Sequence, residues 1–376
     1  MTERIVRKIL DEAGIVVNGK APWDIVVNDV RFYSRVLKQG SLGLGESYMD
    51  GRWGCPSLDQ FFERVLRNGL PWVEIFNPIS VALFLKSKLV NLAPRRKAFV
   101  IGERHYDLGN DLFEAMLDVS TMSYSCGYWK QDASTLDEAQ TAKLDLICRK
   151  LSLKRGQRVL DIGCGWGGFA HHAATRYGVE VVGLTVSKEQ AAFALGKCAG
   201  LSVDIRLQDY RDVREQFDHM VSVGMFEHVG SKNYRTYMQT VGRCLRPEGL
   251  FLLHTIGAPS QFLHSGDPWI EKYIFPGGQI PTRRQILKSS QGIFEVRDWH
   301  EFGQDYDPTL MAWHSRFIAA WDELRAEYED KVGGRFRRMW EYYLLACAGA
   351  FRARSIELWQ IVLSHPCRYL DYHPVR

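Results

Sequence analysis

Three things are scarce in this 376-residue sequence: paired cysteines, long apolar runs and an excess of one charge. Its eight cysteines, at positions 55, 126, 148, 164, 198, 244, 347 and 367, form no CxxC pair, which argues against a structural zinc site and a thioredoxin-like motif. Reduced thiols in the cytoplasm are the plain expectation. The longest uncharged apolar stretch in the first third, Ile75 to Leu85, contains a proline and falls well short of the ~20 residues a membrane span needs. The opening MTERIVRKILDEAG carries charges throughout and shows no apolar core of a signal peptide, so export is not expected. A net charge of +4 is too small to imply nucleic acid as a partner. With 24% charged and 46% hydrophobic residues, the composition excludes disorder, collagen and coiled coil. At roughly 150 residues per domain, two to three domains are expected.

Residues 1 to about 70 alternate short helix-like and strand-like pieces and read as a small mixed domain. From Gly69 to Val100 an apolar run is flanked by Lys86, Lys88, Arg95, Arg96 and Lys97. It reads either as a core helix followed by a solvated basic linker, or as an interfacial helix whose cations meet anionic headgroups. After Gly156 the chain becomes regular. QRVLDIG, VEVVGLT, VDIRLQ, FDHMVSVG and GLFLLHTI are strand-like, and helix-compatible segments such as GFAHHAATRYG and SKEQAAFALGKCAG separate them. That alternation predicts a parallel sheet covered on both faces, with a ligand at the carboxyl ends of the strands. From about residue 310 the sequence is rich in Trp, Tyr and Arg and helical in period, as expected of a helical cap on the sheet.

The strongest local signal is VLDIGCGWGG, residues 159 to 168. A buried strand ends at Asp161, and Gly163, Gly165 and Gly167 let the backbone turn tightly and approach a ligand. Tight packing alone, or a dinucleotide, could use such a turn. The spacing GxGxGG, Gly183 on the next strand and the absence of an acid at that strand's end in LTVS count against NAD. Asp161 before the glycines and Asp209 in LQDY fit a ligand with a cationic amino-acid portion and an adenosine, as in S-adenosylmethionine.

Several motifs together, VLDIGCGWGG, YSCGYW, RHYDLGNDLF, SVGMFEHVG, FLLHTIG, DPWIEKYIFPGG and ACAGAFRAR, resemble those of bacterial cyclopropane-fatty-acyl-phospholipid synthases. The likeness runs from SLGLGESYMDGRW to about residue 362; the tail VLSHPCRYLDYHPVR departs from it. The resemblance implies an α/β fold: a Rossmann-like class I methyltransferase domain with a helical cap at 111–376, preceded by a smaller mixed α+β domain at 1–110 that engages lipid and includes the linker. It implies methylene transfer from S-adenosylmethionine to a cis double bond of unsaturated acyl chains in membrane phospholipids, by a homodimer held peripherally at the inner face of the membrane. The alternatives are a related lipid methyltransferase giving a methyl-branched or methylene product, and a lipid-binding module with a vestigial cofactor site.

The chemistry accounts for the residue types. Methylation of an unactivated alkene gives a carbocation that must be kept from water until the transferred methyl loses a proton, so the pocket should be dry, aromatic and fitted with a weak base. In the family that base is a bicarbonate ion. Motif by motif, its ligands fall on Cys126, Glu227, His254, Ile256 and Tyr306. A lone cysteine is otherwise a small buried hydrophobe, whereas Glu227 and His254 stand at predicted strand ends, where such sheets hold ligands. An ionised Glu227 would orient His254 and hold it protonated. For the cofactor, the resemblance points to Tyr124 and Ser125 near the methionine portion, Asp161, Gly163, Cys164 and Gly165 along the turn, Thr185 and Gln190 at the next strand's end, and Gln208, Asp209 and Tyr210 near adenine. His228 is expected to be structural and His171 and His172 to lie on a solvated helix face. Cys347, among small residues, reads as close helix packing. No histidine spacing suggests a metal.

Overall fold

The computed structural model describes residues 1–69, 109–129, 133–259, 266–366 and 371–376. The apolar and basic segment leading to Val100, including Arg95, Arg96 and Lys97, lies outside the described residues. No helix among those described is long and apolar enough to cross a membrane. The chain forms two compact units, neither contiguous in sequence. One comprises residues 1–90, 259–278 and 306–356; the other comprises 91–258, 279–305 and 357–376.

The first unit opens with α1 (Thr2–Glu12), α2 (Arg31–Met49) and α3 (Leu58–Arg67). Each turns an apolar stripe inward: Val6 and Leu10 from α1, Phe32 and Val36 from α2, Phe61, Phe62 and Val65 from α3. Trp53 fills the space between them, its ring 5.2 Å from Phe61 and 5.9 Å from Phe32.

The second unit begins, after the short helix Asn110–Met116, with α4 (Leu136–Lys150), whose N-terminus is closed by a capping box between Thr135 and Glu138. There follow β1 (Arg158–Ile162), α5 (Gly168–Tyr177), β2 (Glu180–Thr185), α6 (Lys188–Lys197), β3 (Val203–Leu207), β4 (Phe217–Val223), α7 (Tyr234–Cys244) and β5 (Leu245–Gly257). Then come α8 (Arg283–Ser290) and β6 (Glu295–Glu301). The chain returns to the first unit as α9 (Tyr306–Ala319) and α10 (Phe336–Arg352), and re-enters the sheet as β7 (Glu357–Ser364).

Among the described residues, the strands of the second unit's sheet lie in the order β3-β2-β1-β4-β5-β7-β6. The first five are parallel, and β7 runs antiparallel to both its neighbours. Both faces are covered, so the central strands are apolar on alternate sides. Leu160 and Ile162 join one core with Phe217, Tyr237 and Phe251, while Val159 joins the other with Ile147, Phe169 and Val181. The five strands and two helices expected after Gly156 are all present. The strand order reverses between β1 and β4, and this opens a crevice at their carboxyl ends.

Two expectations are corrected. The helical segment after residue 306, read as a cap on the sheet, packs within the first unit, and a single break near residue 110 does not divide the chain. A Cβ at Gly349 of α10 would lie 2.5 Å from the Asp59 carbonyl oxygen on α3, and Arg352 binds both Asp59 and Asp307 at 2.7 Å. An amphipathic pattern says which face is apolar, not which partner covers it. His172 is the second correction: it is buried on α5 near Tyr177, not solvated.

Candidate active site

The glycine turn follows β1 directly. The amides of Gly163 and Cys164 both donate to the Leu184 carbonyl, which ties the turn to the end of β2. Gly163 has φ +87°, and a Cβ there would press on Met225 at 2.9 Å. At Gly168, the first residue of α5, a Cβ would meet the Thr121 carbonyl oxygen at 2.2 Å, so the helix start and the 118–129 segment can approach only without side chains. Trp166 closes the turn from outside, its indole N–H donating to Asn110 Oδ1 at 3.0 Å and its ring packed on Phe113.

Beside this turn lies a cavity of about 200 Å³. All eleven residues singled out for a cofactor line it. Tyr124 and Ser125 stand on one wall, with Asp161, Gly163, Cys164 and Gly165 along the turn. Thr185 and Gln190 come next, joined by a 2.9 Å hydrogen bond, and Gln208, Asp209 and Tyr210 complete the far end. Asp209 is engaged by Arg211, whose Nε and Nη2 reach its two oxygens at 2.8 and 2.6 Å. Asp161 is different: it is buried, its Oδ2 has no partner, and burial pushes its carboxyl up to about 7. His228 also lines the cavity.

The other group of expected residues stands at the carboxyl edge of β4 and β5. Glu227 is in a short 3₁₀ turn after β4, and its Oε1 accepts from the Ile256 amide at 2.7 Å. The Ile256 main chain thus holds Glu227 in place. His254 lies opposite Val223 in the β4–β5 register. Its Nδ1 is 3.3 Å from Gln360 Nε2 on β7. With Gln360 donating from Nε2, Nδ1 accepts and the ring proton sits on Nε2. Both Glu227 Oε2 and His254 Nε2 are buried without a hydrogen-bond partner.

Burial dominates the charge state of this pair. It raises Glu227 to about 7 and holds His254 well below the usual imidazole value, with Lys143, Lys150 and His300 adding to the second effect. The expectation that an ionised Glu227 keeps His254 protonated is therefore corrected: His254 is neutral, because an imidazolium loses its hydration there and faces two lysines. Cys126 is fully buried, and its thiol lies 3.1 Å from the Gly127 carbonyl oxygen. The adjoining Trp129 amide donates to Asp305 Oδ2 at 2.8 Å. Tyr306 belongs to the first unit, where it starts α9 with its ring 4.4 Å from Phe351. Cys126, Glu227, His254 and Ile256 thus belong to the second unit, and the fifth expected residue belongs to the other.

Sequence reasoning missed Lys143, Trp166, Arg211 and Gln360. For Lys143 a signal existed. Leu136, Gln140, Lys143, Ile147 and Lys150 succeed one another at spacings of four and three, the stripe a helix buries, and all five are buried on α4.

The chain matches the family described as mycolic acid cyclopropane synthetase over residues 94–361. It is 57% identical over 361 residues to the cyclopropane-fatty-acyl-phospholipid synthase of Escherichia coli (strain K12), spanning 96% of this chain and 93% of that protein. With the tuberculostearic acid methyltransferase UfaA1 of Mycobacterium tuberculosis (strain ATCC 25618 / H37Rv) it shares 32% identity over 88% of this chain and 80% of that one. Among solved structures, the mycolic acid cyclopropane synthase CmaA1 complexed with SAH and CTAB aligns with a TM-score of 0.66 at 33% identity, covering 72% of this chain and 99% of that one. By sequence and by fold, the chain belongs to the mycolic acid cyclopropane synthetase family.

Proposed function

We propose that this protein is an S-adenosylmethionine-dependent cyclopropane synthase, moving a methylene unit onto the cis double bond of unsaturated acyl chains in membrane phospholipids. The likeness to the Escherichia coli enzyme over nearly the whole of both chains supports that activity and substrate class. The observation that carries the chemistry is the pair of buried orphan atoms, Glu227 Oε2 and His254 Nε2, at the strand edge where such sheets hold ligands. Natively buried polar atoms are rarely left unpaired, and two of those found here stand at the strand edge where a ligand is expected, which supports an anion seat there.

S-adenosylmethionine supplies, when bound, an electrophilic methyl group. The residues present suit it: Asp161 offers an unpartnered carboxylate oxygen, and the turn at Gly163 admits a close approach. The protein's own tasks are to exclude water and to seat the base that takes the last proton. A bicarbonate seat fits the orphan pair, since the His254 Nε2–H donates to an anionic oxygen and Glu227 Oε2 accepts from a hydroxyl. A neutral imidazole does this without competing for the proton. Ile256 keeps Glu227 turned into place, and Cys126 lines the seat. The first unit and the basic segment at Arg95 to Lys97 would engage the lipid surface, with a homodimer at the inner face of the membrane as the working assembly.

The test is incubation with vesicles of cis-unsaturated phospholipid and methyl-labelled S-adenosylmethionine, followed by NMR of the released fatty acids. Label in shielded ring protons is expected. Label in a methyl-branched chain would move the protein to the methyltransferase reading, and no incorporation would overturn both.

A further inference from the structure

Lys143 projects from α4 into the cavity beside the glycine turn, and the bicarbonate seat makes no use of it. It is only 1% exposed, and its Nζ donates to Ser125 Oγ at 2.9 Å. Gln140, one turn earlier on the same face, donates to the Ser125 carbonyl oxygen at 2.7 Å. The two side chains therefore grip Ser125 from α4 by its hydroxyl and its backbone.

A hydroxyl does not neutralise a buried ammonium. Among the described residues, no carboxylate oxygen lies within 4 Å of Lys143 Nζ, and removing an unpaired charge from water is costly. Two acids lie in its neighbourhood. Asp118 is already committed, accepting from the Thr121 amide and hydroxyl at 2.6 and 2.7 Å and from the Ser123 amide at 2.9 Å. Asp161 keeps Oδ2 unpartnered on the same cavity. The cavity wall thus carries one buried cation and one buried anion, both short of partners. Burial accordingly pushes Lys143 down to about 8 and Asp161 up to about 7. A purely anionic ligand would satisfy the lysine but face Asp161, and a purely cationic one would do the reverse. A zwitterion answers both.

We propose that Lys143, with Ser125 Oγ beside it, is the binding group for the α-carboxylate of S-adenosylmethionine, while Asp161 takes the ammonium of the same amino-acid head. This rests on the reading that S-adenosylmethionine occupies the cavity. Lys143 then selects the intact amino acid against analogues that carry the sulfonium and adenosine but no carboxylate.

The experiment measures binding without lipid, by calorimetry on the full-length chain, for S-adenosylmethionine and its decarboxylated form. The wild type should prefer S-adenosylmethionine by roughly 10- to 100-fold, the scale of a charged hydrogen bond. Lys143→Met should lose that preference by weakening S-adenosylmethionine alone, and Lys143→Arg should restore part of it. If Lys143 only props Ser125, Lys143→Met weakens both ligands equally, and the proposal falls. It falls likewise if Lys143→Met keeps the wild-type preference. Should that variant fail to fold, the wild type decides alone: equal affinity for the two ligands overturns the proposal. Binding of neither ligand by the wild type would instead overturn the cofactor reading beneath it.

Discussion

Two lysines on one face of α4, about two turns apart, are both withdrawn from water, and their surroundings could hardly differ more. Lys150 Nζ lies 3.0 Å from His300 Nδ1 and 3.5 Å from Asp298 Oδ2. Asp298 is in turn gripped by Arg376 at 2.6 and 2.7 Å. Lys150 and Arg376 share the Asp298 carboxylate, a counter-charge supplied by the fold. Lys143 has a serine hydroxyl and a cavity. Depth of burial is therefore no guide to the purpose of a charge; what distinguishes architecture from chemistry is whether its partners are already present.

The strongest way to break the comparison is to remove a partner from the completed side. Asp298→Ala leaves Lys150 and Arg376 facing each other without an anion and should cost about 3–5 kcal/mol in urea unfolding. Lys143→Met, which removes an unpaired charge, should cost far less than that. A cost for Lys143→Met equal to that of Asp298→Ala would abolish the distinction.

Glu227 sharpens it from the acidic side. Its folded pKa of about 7 lies above the ordinary carboxyl value, so the native state holds this proton more tightly than the unfolded chain does. Stability from this group is present at low pH and is lost as pH rises toward 7, about 3 kcal/mol in all. Asp298 has the opposite sign. Arg376 and Lys150 outweigh the effect of its burial and lower its pKa, so its contribution is present above the ordinary carboxyl range and is lost in acid. Glu227→Gln should thus be more stable than the wild type at pH 8 and similar at pH 4, while product formation on labelled vesicles falls by about 10²- to 10⁴-fold. A variant that keeps its turnover would remove Glu227 from the base seat.

The smallest effect is expected at the outer edge of the completed cluster. Arg376 is 46% exposed on its side chain, and Arg376→Ala should lower stability by only about 1 kcal/mol, with the loss diminished in high salt. A loss as large as that from Asp298→Ala would mean that Arg376, not Lys150, is the cation that matters to Asp298.

Much of this was legible before any coordinates. The glycine turn and the five parallel strands announce themselves through β-branched runs ending in glycine, and the cofactor residues that the resemblance implies all line one cavity. Lys143 was harder. A lysine in LDEAQTAKLDLICRK looks like the solvated edge of a helix until its place in the buried stripe is counted, and only the packed structure shows which acids are already engaged. The protonation of His254 was misjudged for a similar reason, since neighbouring charges can be read from sequence but desolvation cannot. Strands β6 and β7 escaped notice because EVRDWHE lacks clean alternation and ELWQIVLS follows directly on a helix.

Strand β7 has a consequence for how the enzyme comes into being. Among the described residues β6 pairs only with β7, and β7 also covers the outer edge of β5 while bringing Gln360 to His254. A ribosome releases the cofactor turn some two hundred residues before this strand. During that interval the parallel half of the sheet can condense, but β5 stays uncovered and the imidazole has no amide to fix its tautomer. The late strand therefore brings Gln360 to His254 in the same step that closes an edge which would otherwise invite aggregation.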